Sequence, residues 1–158
     1  MMSSYSVVVV LHLLGASIWV GGHLVLALGI LPAALRASDA NVRTSVGVDM
    51  IRNFENVFEK MGVPALLLQV ASGLWLAHFW VPDWHNWLSP NTAQAHWVAI
   101  KLFLLLVTLL LAMHARLKLI PNLTAASLPA LAWHIRLITL VAVLFLLAGA
   151  SLRTGVLL

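Results

Sequence analysis

Four apolar segments, each long enough to cross a lipid bilayer, constrain the fold of this chain more than any other feature. They are predicted at residues 6–31, 63–81, 97–117 and 133–152, and about 20 apolar residues suffice to span the hydrocarbon core. Only 9% of the 158 residues are charged, whereas about a quarter are charged in a typical soluble domain. The pattern predicts a single all-α domain over residues 1–158, an antiparallel four-helix bundle embedded in a membrane.

The positive charges predict the orientation of this bundle. Most lie after the first and third segments, at Arg36, Arg43, Arg52, Lys60, Arg116 and Lys118. Because such residues favour the cytoplasmic side, both termini are predicted on the outer (periplasmic) side of a bacterial inner membrane. The first segment is expected to stop at Pro32, which makes residues 32–60 a cytoplasmic loop with a short interfacial helix. The expected partner is the lipid bilayer and not nucleic acid, and a homo-oligomer is left open.

Two of the segments each carry a pair of histidines on one helix face. His12 and His23 are eleven residues apart, which places them 20° out of phase and roughly 16 Å apart along an ideal helix. His96 and His114 are eighteen residues apart, which is five whole turns and roughly 27 Å. An unpaired polar group at this depth in lipid costs several kcal/mol, so His12 and His23 are predicted to be functional. For His85, His96 and His134 the alternative is that these amphipathic rings simply lie at helix ends near the membrane surface.

One histidine per helix at each of two depths predicts two haem b groups, one in each leaflet, held by axial imidazoles. His12 is expected to pair with His78 or His96, and His23 with His114 or His134; estimated depths favour His78 and His114 as the iron ligands. Gly15 and Gly22 lie on the same stripe of the first helix and are expected either to admit the flat macrocycle or to pack helices closely. Such a protein would be a membrane oxidoreductase that passes electrons between quinol and a small or periplasmic acceptor.

Other hypotheses remain open at this point. Imidazole also suits copper, and His12, His23 and His114 would then be successive stations along a transport path. The chain has no cysteine, which excludes thiolate sites. Lys101 and Arg153, near helix ends, either extend their charges to the outer surface or act as catalytic or substrate-binding residues. An accessory membrane subunit without a cofactor is the last alternative.

Several stretches also resemble a known family. They are "LHLLGASIWVGGHLVLALGILPAAL", "FEKMGVPALLLQVASGLWLAHFW", "HWVAIKLFLLLVTLLLAMHARLK" and "LAGASLRTG". Together they resemble the CopD family, named for copper-resistance membrane proteins, and more distantly the HemJ-type protoporphyrinogen oxidases, small four-helix proteins that bind haem b. The first resemblance implies a role in copper handling. The second implies a haem-linked role for His12 and Lys101 and, as an alternative function, oxidation of a porphyrin precursor.

Overall fold

The computed structural model describes residues 3–39 and 44–154, and within these ranges the chain is helical almost throughout, without a strand. The α-helices are α1 (Ser4–Leu24), α2 (Leu31–Asp39), α3 (Thr44–Trp80), α4 (His85–Leu88), α5 (Ala93–His114) and α6 (Leu128–Thr154). Two π-helical turns, Val25–Ile30 and Ala115–Leu119, and one 3₁₀ turn, Ala125–Ser127, extend them. Four stretches are long and apolar enough to cross a membrane: Ser4–Ala37, Val46–Trp80, Ala93–Leu119 and Ala125–Ser151. The predicted four-span, all-helical architecture is confirmed.

The connection predicted over residues 32–60 differs from the structure. The first helix does not stop at Pro32, because a π-helical turn precedes it and the Leu31 N–H bonds the Leu26 carbonyl five residues back. This wider turn accommodates a proline, which lacks an N–H and crowds the carbonyl four residues earlier. On the other side of the connection, the stretch predicted as an interfacial helix forms the first half of α3, continuous with the second span.

Local capping explains where the first and third spans begin. The Ser3 hydroxyl accepts a hydrogen bond from the Ser6 N–H at 3.3 Å, and the Thr92 hydroxyl accepts one from the Ala95 N–H at 3.2 Å. Each satisfies one of the backbone donors that a helix start leaves without a partner. Pro129, the second residue of α6, occupies a position where its missing N–H costs nothing.

The spans pack so that α1 contacts α3 and α6, while α5 contacts α6. We call the end of the bundle with the start of α1 and the end of α6 the terminal-side end, and the opposite end the loop-side end. The largest buried cluster lies at the loop-side end and includes Leu26, Leu31, Ile51, Leu128 and Ile135. Elsewhere many large apolar side chains face outward, such as Leu28, which is 74% exposed. Apolar exposure of this kind is expected where lipid, and not water, surrounds a helix.

Candidate functional site

A cavity of about 640 Å³ lies in the terminal-side half of the bundle, with walls from α1, α3, α5 and α6. Its lining is mostly apolar, with Tyr5 and Trp80 near the helix ends and Trp19 deeper. Two nitrogen-bearing side chains, those of His12 on α1 and Lys101 on α5, line this cavity. An apolar cavity of this size with a few polar groups is typical of a small-molecule or cofactor site.

A hydrogen-bond relay orients the His12 ring. Its Nδ1 lies 2.9 Å from the Ser72 hydroxyl oxygen, and that hydroxyl donates its own hydrogen to the Leu68 carbonyl one turn earlier in α3. Since the hydroxyl has a single hydrogen, its oxygen accepts from His12 Nδ1–H. In the neutral ring the lone pair is then on Nε2, and an imidazole held in this way is suited to bind a metal through that nitrogen.

Gly73 allows α3 to approach this ring. A Cβ added at Gly73 would lie 3.2 Å from the His12 Cε1 atom, which is tighter than ordinary van der Waals contact. The Ser72–Gly73 pair therefore supplies both the hydrogen-bond acceptor and the space that hold the imidazole. Ser72 is not among the residues predicted from the sequence; a serine next to a glycine inside an apolar span is the signal that points to it.

Lys101 enters the cavity from α5 and lies against Gly149 of α6. A Cβ at Gly149 would be 3.4 Å from the lysine Nζ atom, so the glycine leaves room for the ammonium. Among the described residues that line the cavity, none is a carboxylate. The described lining therefore combines a lysine amine with an imidazole and contains no carboxylate that could pair with either.

His23 is enclosed by aromatic rings instead of bordering the cavity. Its Nδ1–H donates to the Trp19 carbonyl at 2.8 Å, and its ring lies 4.6 Å from the Trp19 ring and 5.4 Å from the Phe58 ring, centre to centre. Only 6% of its surface is exposed. Phe58, which the sequence analysis did not single out, fills the space where a ligand of His23 would have to enter on that side.

Gly15 and Gly22 both face α3. A Cβ at Gly22 would overlap the Phe58 ring, and a Cβ at Gly15 would lie 3.1 Å from the Ala65 carbonyl oxygen. Close packing of α1 on α3 therefore accounts for both glycines. A role beside a macrocycle stays a prediction.

His114 and His134 come together at the loop-side end from α5 and α6. Their ring centres are 5.3 Å apart and their planes are inclined by 41°. His134 donates from Nε2 to the Leu111 carbonyl at 3.0 Å, so its lone pair lies on Nδ1. The rings that contact His23 are those of Trp19 and Phe58, and its predicted pairing with His114 or His134 stays a prediction.

The other predicted ligands lie on the outside of the described structure. His78 and His96 are exposed, and neither contributes to the cavity wall that holds His12; the Nδ1–H of His96 donates to the Thr92 carbonyl at 2.9 Å. His85 pairs with Asp83 in the connection after α3 at 3.0 Å. The His85 backbone N–H and imidazole both donate to this carboxylate and hold the pKa of Asp83 below its ordinary value. The Arg153 side chain lies outside the described residues.

A π-helical turn, Val25–Ile30, begins within two residues after His23, and another, Ala115–Leu119, begins directly after His114. Such turns are rare in helices and often lie at functional sites. Within residues 3–39 and 44–154, however, no group of three or more His, Asp or Glu side chains is arranged to hold a metal ion.

The fold and the cavity together define a multi-pass helical membrane protein with the His12 and Lys101 side chains on a cavity inside the bundle. A family model for copper resistance protein D matches residues 52–152, which is about two thirds of the chain, and the protein belongs to this CopD family. The matched segment contains Ser72, Lys101, His114 and His134, and it leaves out the first span with His12 and His23. Comparison with curated proteins and with solved structures found no match.

Proposed function

We propose that the protein is a copper-resistance membrane protein that passes copper ions through the bundle, with imidazoles as transient ligands. The observation that carries this proposal is the match of residues 52–152 to the copper resistance protein D family. The donor chemistry supports it, since imidazole is a good copper ligand and His12 lines the cavity inside the first span. A transported ion needs ligands that bind it well enough to enter and weakly enough to leave.

The charge of Lys101 affects which oxidation state of copper enters the cavity. An ammonium on the wall that holds His12 repels a cation, and the repulsion on a divalent ion is twice that on a monovalent ion. Cu(I) is therefore the form that enters the terminal-side cavity more easily. Lys101 acts here as a charge barrier beside the imidazole and not as a ligand.

Transfer into vesicles tests the proposal. Purified protein is reconstituted into liposomes that contain a Cu(I)-sensitive fluorophore, and external Cu(I) is added. We expect faster entry than into empty liposomes and loss of most of this difference in His12→Ala. His85→Ala is the matched control, because His85 is exposed in a connection and paired with Asp83. Entry no faster than into empty liposomes would contradict the proposal.

A second candidate, binding of haem b, is favoured by the cavity itself. Its volume of about 640 Å³ and mostly apolar wall suit a flat organic cofactor. His12 would hold the haem iron, with its ring oriented by Ser72, and Lys101 would neutralise an acidic side chain of the macrocycle. The group supplies one-electron redox chemistry when bound, and the protein would then relay electrons between quinol and an acceptor.

The absorption spectrum separates the two candidates. Protein purified from cells well supplied with haem shows a Soret band if haem b is bound, and the pyridine haemochrome gives the number of haems per chain. Under this candidate His12→Ala loses the band while His85→Ala retains it. Colourless, folded protein that transfers copper supports the copper function and removes the haem candidate.

A further inference from the structure

The His114–His134 pair lies at the loop-side end, away from the cavity, and its geometry suits a metal ion. A metal–imidazole nitrogen bond is about 2.0–2.1 Å, so with a ring radius of about 1.2 Å the ring centre lies roughly 3.2 Å from the metal. Two imidazoles on one tetrahedral ion then have their centres about 5.2 Å apart, whereas a linear pair would have them about 6.4 Å apart. The observed separation is 5.3 Å.

The surroundings prepare His134 to act as a ligand. Its Nε2–H donates to the Leu111 carbonyl, which belongs to the same helix as His114 and lies one turn before it. This hydrogen bond selects the tautomer of His134 that has its lone pair on Nδ1. It also holds the His134 ring against α5, the helix that carries His114. Metal-binding histidines commonly donate their other nitrogen to a carbonyl in this way.

The local charge is also compatible with a cation. Arg116, two residues after His114, makes a bidentate ion pair with Glu59, with nitrogen–oxygen distances of 2.6 Å. The carboxylate offsets the guanidinium charge that would otherwise repel a metal ion nearby. His114 itself is exposed, so water or an exchangeable ligand can complete the coordination sphere.

We infer that His114 and His134 form a two-imidazole binding site for a tetrahedral d¹⁰ metal ion at the loop-side end of the bundle. The choice of Cu(I) as that ion rests on the proposed function, whereas the site rests on the geometry of the two rings. Both residues lie within the segment 52–152 that matches the family. In copper transfer, this site would receive the ion from the bundle or release it to an acceptor.

Equilibrium binding tests the site without any need for transport. Full-length protein in detergent competes with a chromophoric chelator for Cu(I), and the same titration is repeated with Zn²⁺. We expect His114→Ala and His134→Ala each to weaken the binding of one equivalent by tenfold or more, with melting temperatures close to wild type. His96→Ala is the matched control, since it removes an exposed histidine from the same helix, and it should leave this equivalent unchanged.

A double variant provides a positive test of proximity. The chain has no cysteine, so His114→Cys/His134→Cys introduces the only two thiols. We expect this variant to bind one Cu(I) with an ultraviolet thiolate-to-copper absorption that either single cysteine variant shows much more weakly. Equal absorption in the single and double variants would overturn the pairing.

The outcomes distinguish the site from the function. If His114→Ala and His134→Ala bind Cu(I) and Zn²⁺ as the wild type does, the site is overturned, even where the vesicles still transfer copper. If both variants lose the equivalent but wild-type vesicles transfer no copper, the proposed function fails and the metal site stands.

Discussion

At the terminal-side end of the bundle, His12 borders a cavity of about 640 Å³ together with Lys101. Further along the same helix, His23 is packed between the rings of Trp19 and Phe58 and does not line this cavity. The imidazoles of His12 and His23 each donate Nδ1–H to an oxygen acceptor, so each has a hydrogen-bond partner. The comparison shows that two histidines of one helix have different surroundings, one beside a cavity and one between aromatic rings. Adjacent space for a ligand distinguishes His12 from His23.

The enclosure of His23 is tested by adding one methyl group. In Gly22→Ala the new Cβ overlaps the Phe58 ring, and overpacking of this kind costs about 1–3 kcal/mol of the unfolding free energy. We expect a lower melting temperature in detergent. The matched control is Gly21→Ala, where a Cβ meets nothing within 4 Å, and its stability should equal or slightly exceed that of wild type. Equal melting of the two variants would contradict the enclosed packing around His23.

The orientation of His12 is tested by removing its acceptor. Ser72→Ala leaves Nδ1–H without the serine oxygen, and loss of such a partner typically weakens metal binding 10- to 100-fold. Cu(I) affinity is measured in a His114→Ala background, so that the loop-side pair does not contribute. Ser17→Ala is the control, because that hydroxyl donates to the Leu13 carbonyl of its own helix. Unchanged affinity in Ser72→Ala would show that the relay does not prepare His12.

The expected effect of removing the Lys101 charge depends on whether copper or haem b enters the cavity. Lys101→Met keeps a long side chain and removes the charge, so copper entry into vesicles should rise by up to about tenfold as the repulsion is removed. Lys101→Arg keeps the charge and should behave as wild type. If haem b occupies the cavity, Lys101→Met instead lowers the haem content. A fall in copper entry in Lys101→Met would contradict the charge-barrier role.

The smallest change in stability is expected from an exposed ion pair at the loop-side end. Arg116 and Glu59 form an ion pair in which the side chains are 58% and 38% exposed, and exposed pairs contribute about 0–1 kcal/mol. A double-mutant cycle with Arg116→Ala and Glu59→Gln, followed by thermal unfolding at low and high salt, measures the coupling. A coupling energy above about 2 kcal/mol would indicate that this pair is part of the packed structure.

The sequence predicts the span architecture well, because length and hydropathy alone determine which segments cross a bilayer. All four spans are found, and the largest error lies in residues 32–60. A proline was expected to end the first helix at Pro32, but the π-helical turn before it carries the helix on to Asp39. A change from α- to π-type hydrogen bonding does not alter the apolar composition of a segment. The continuation of the first helix past Pro32 therefore cannot be predicted from the sequence.

Only part of the candidate site can be predicted from the sequence. Residue spacing determines which face of a helix a side chain lies on, but not which residues of the other helices it contacts. His12 and Lys101 were both singled out, and they line one cavity. The exposure of His78 and His96, and the contact between His114 and His134, depend on how the helices rotate about their axes. Small residues such as Ser72 and Gly73 determine that rotation through close contacts, and these contacts become visible only in three dimensions.

The two π-helical turns have a consequence for how relatives of this chain can differ in length. Such a turn holds one residue more than an α-helical turn, so an insertion there widens the coil locally while the span keeps its reach across the bilayer. Val25–Ile30 and Ala115–Leu119 are therefore the places where a one-residue deletion should be tolerated. The deletion would restore an ordinary α-helical turn and leave the residues beyond it on nearly the same helix face, whereas a deletion elsewhere in an α-helix would rotate them by about 100°.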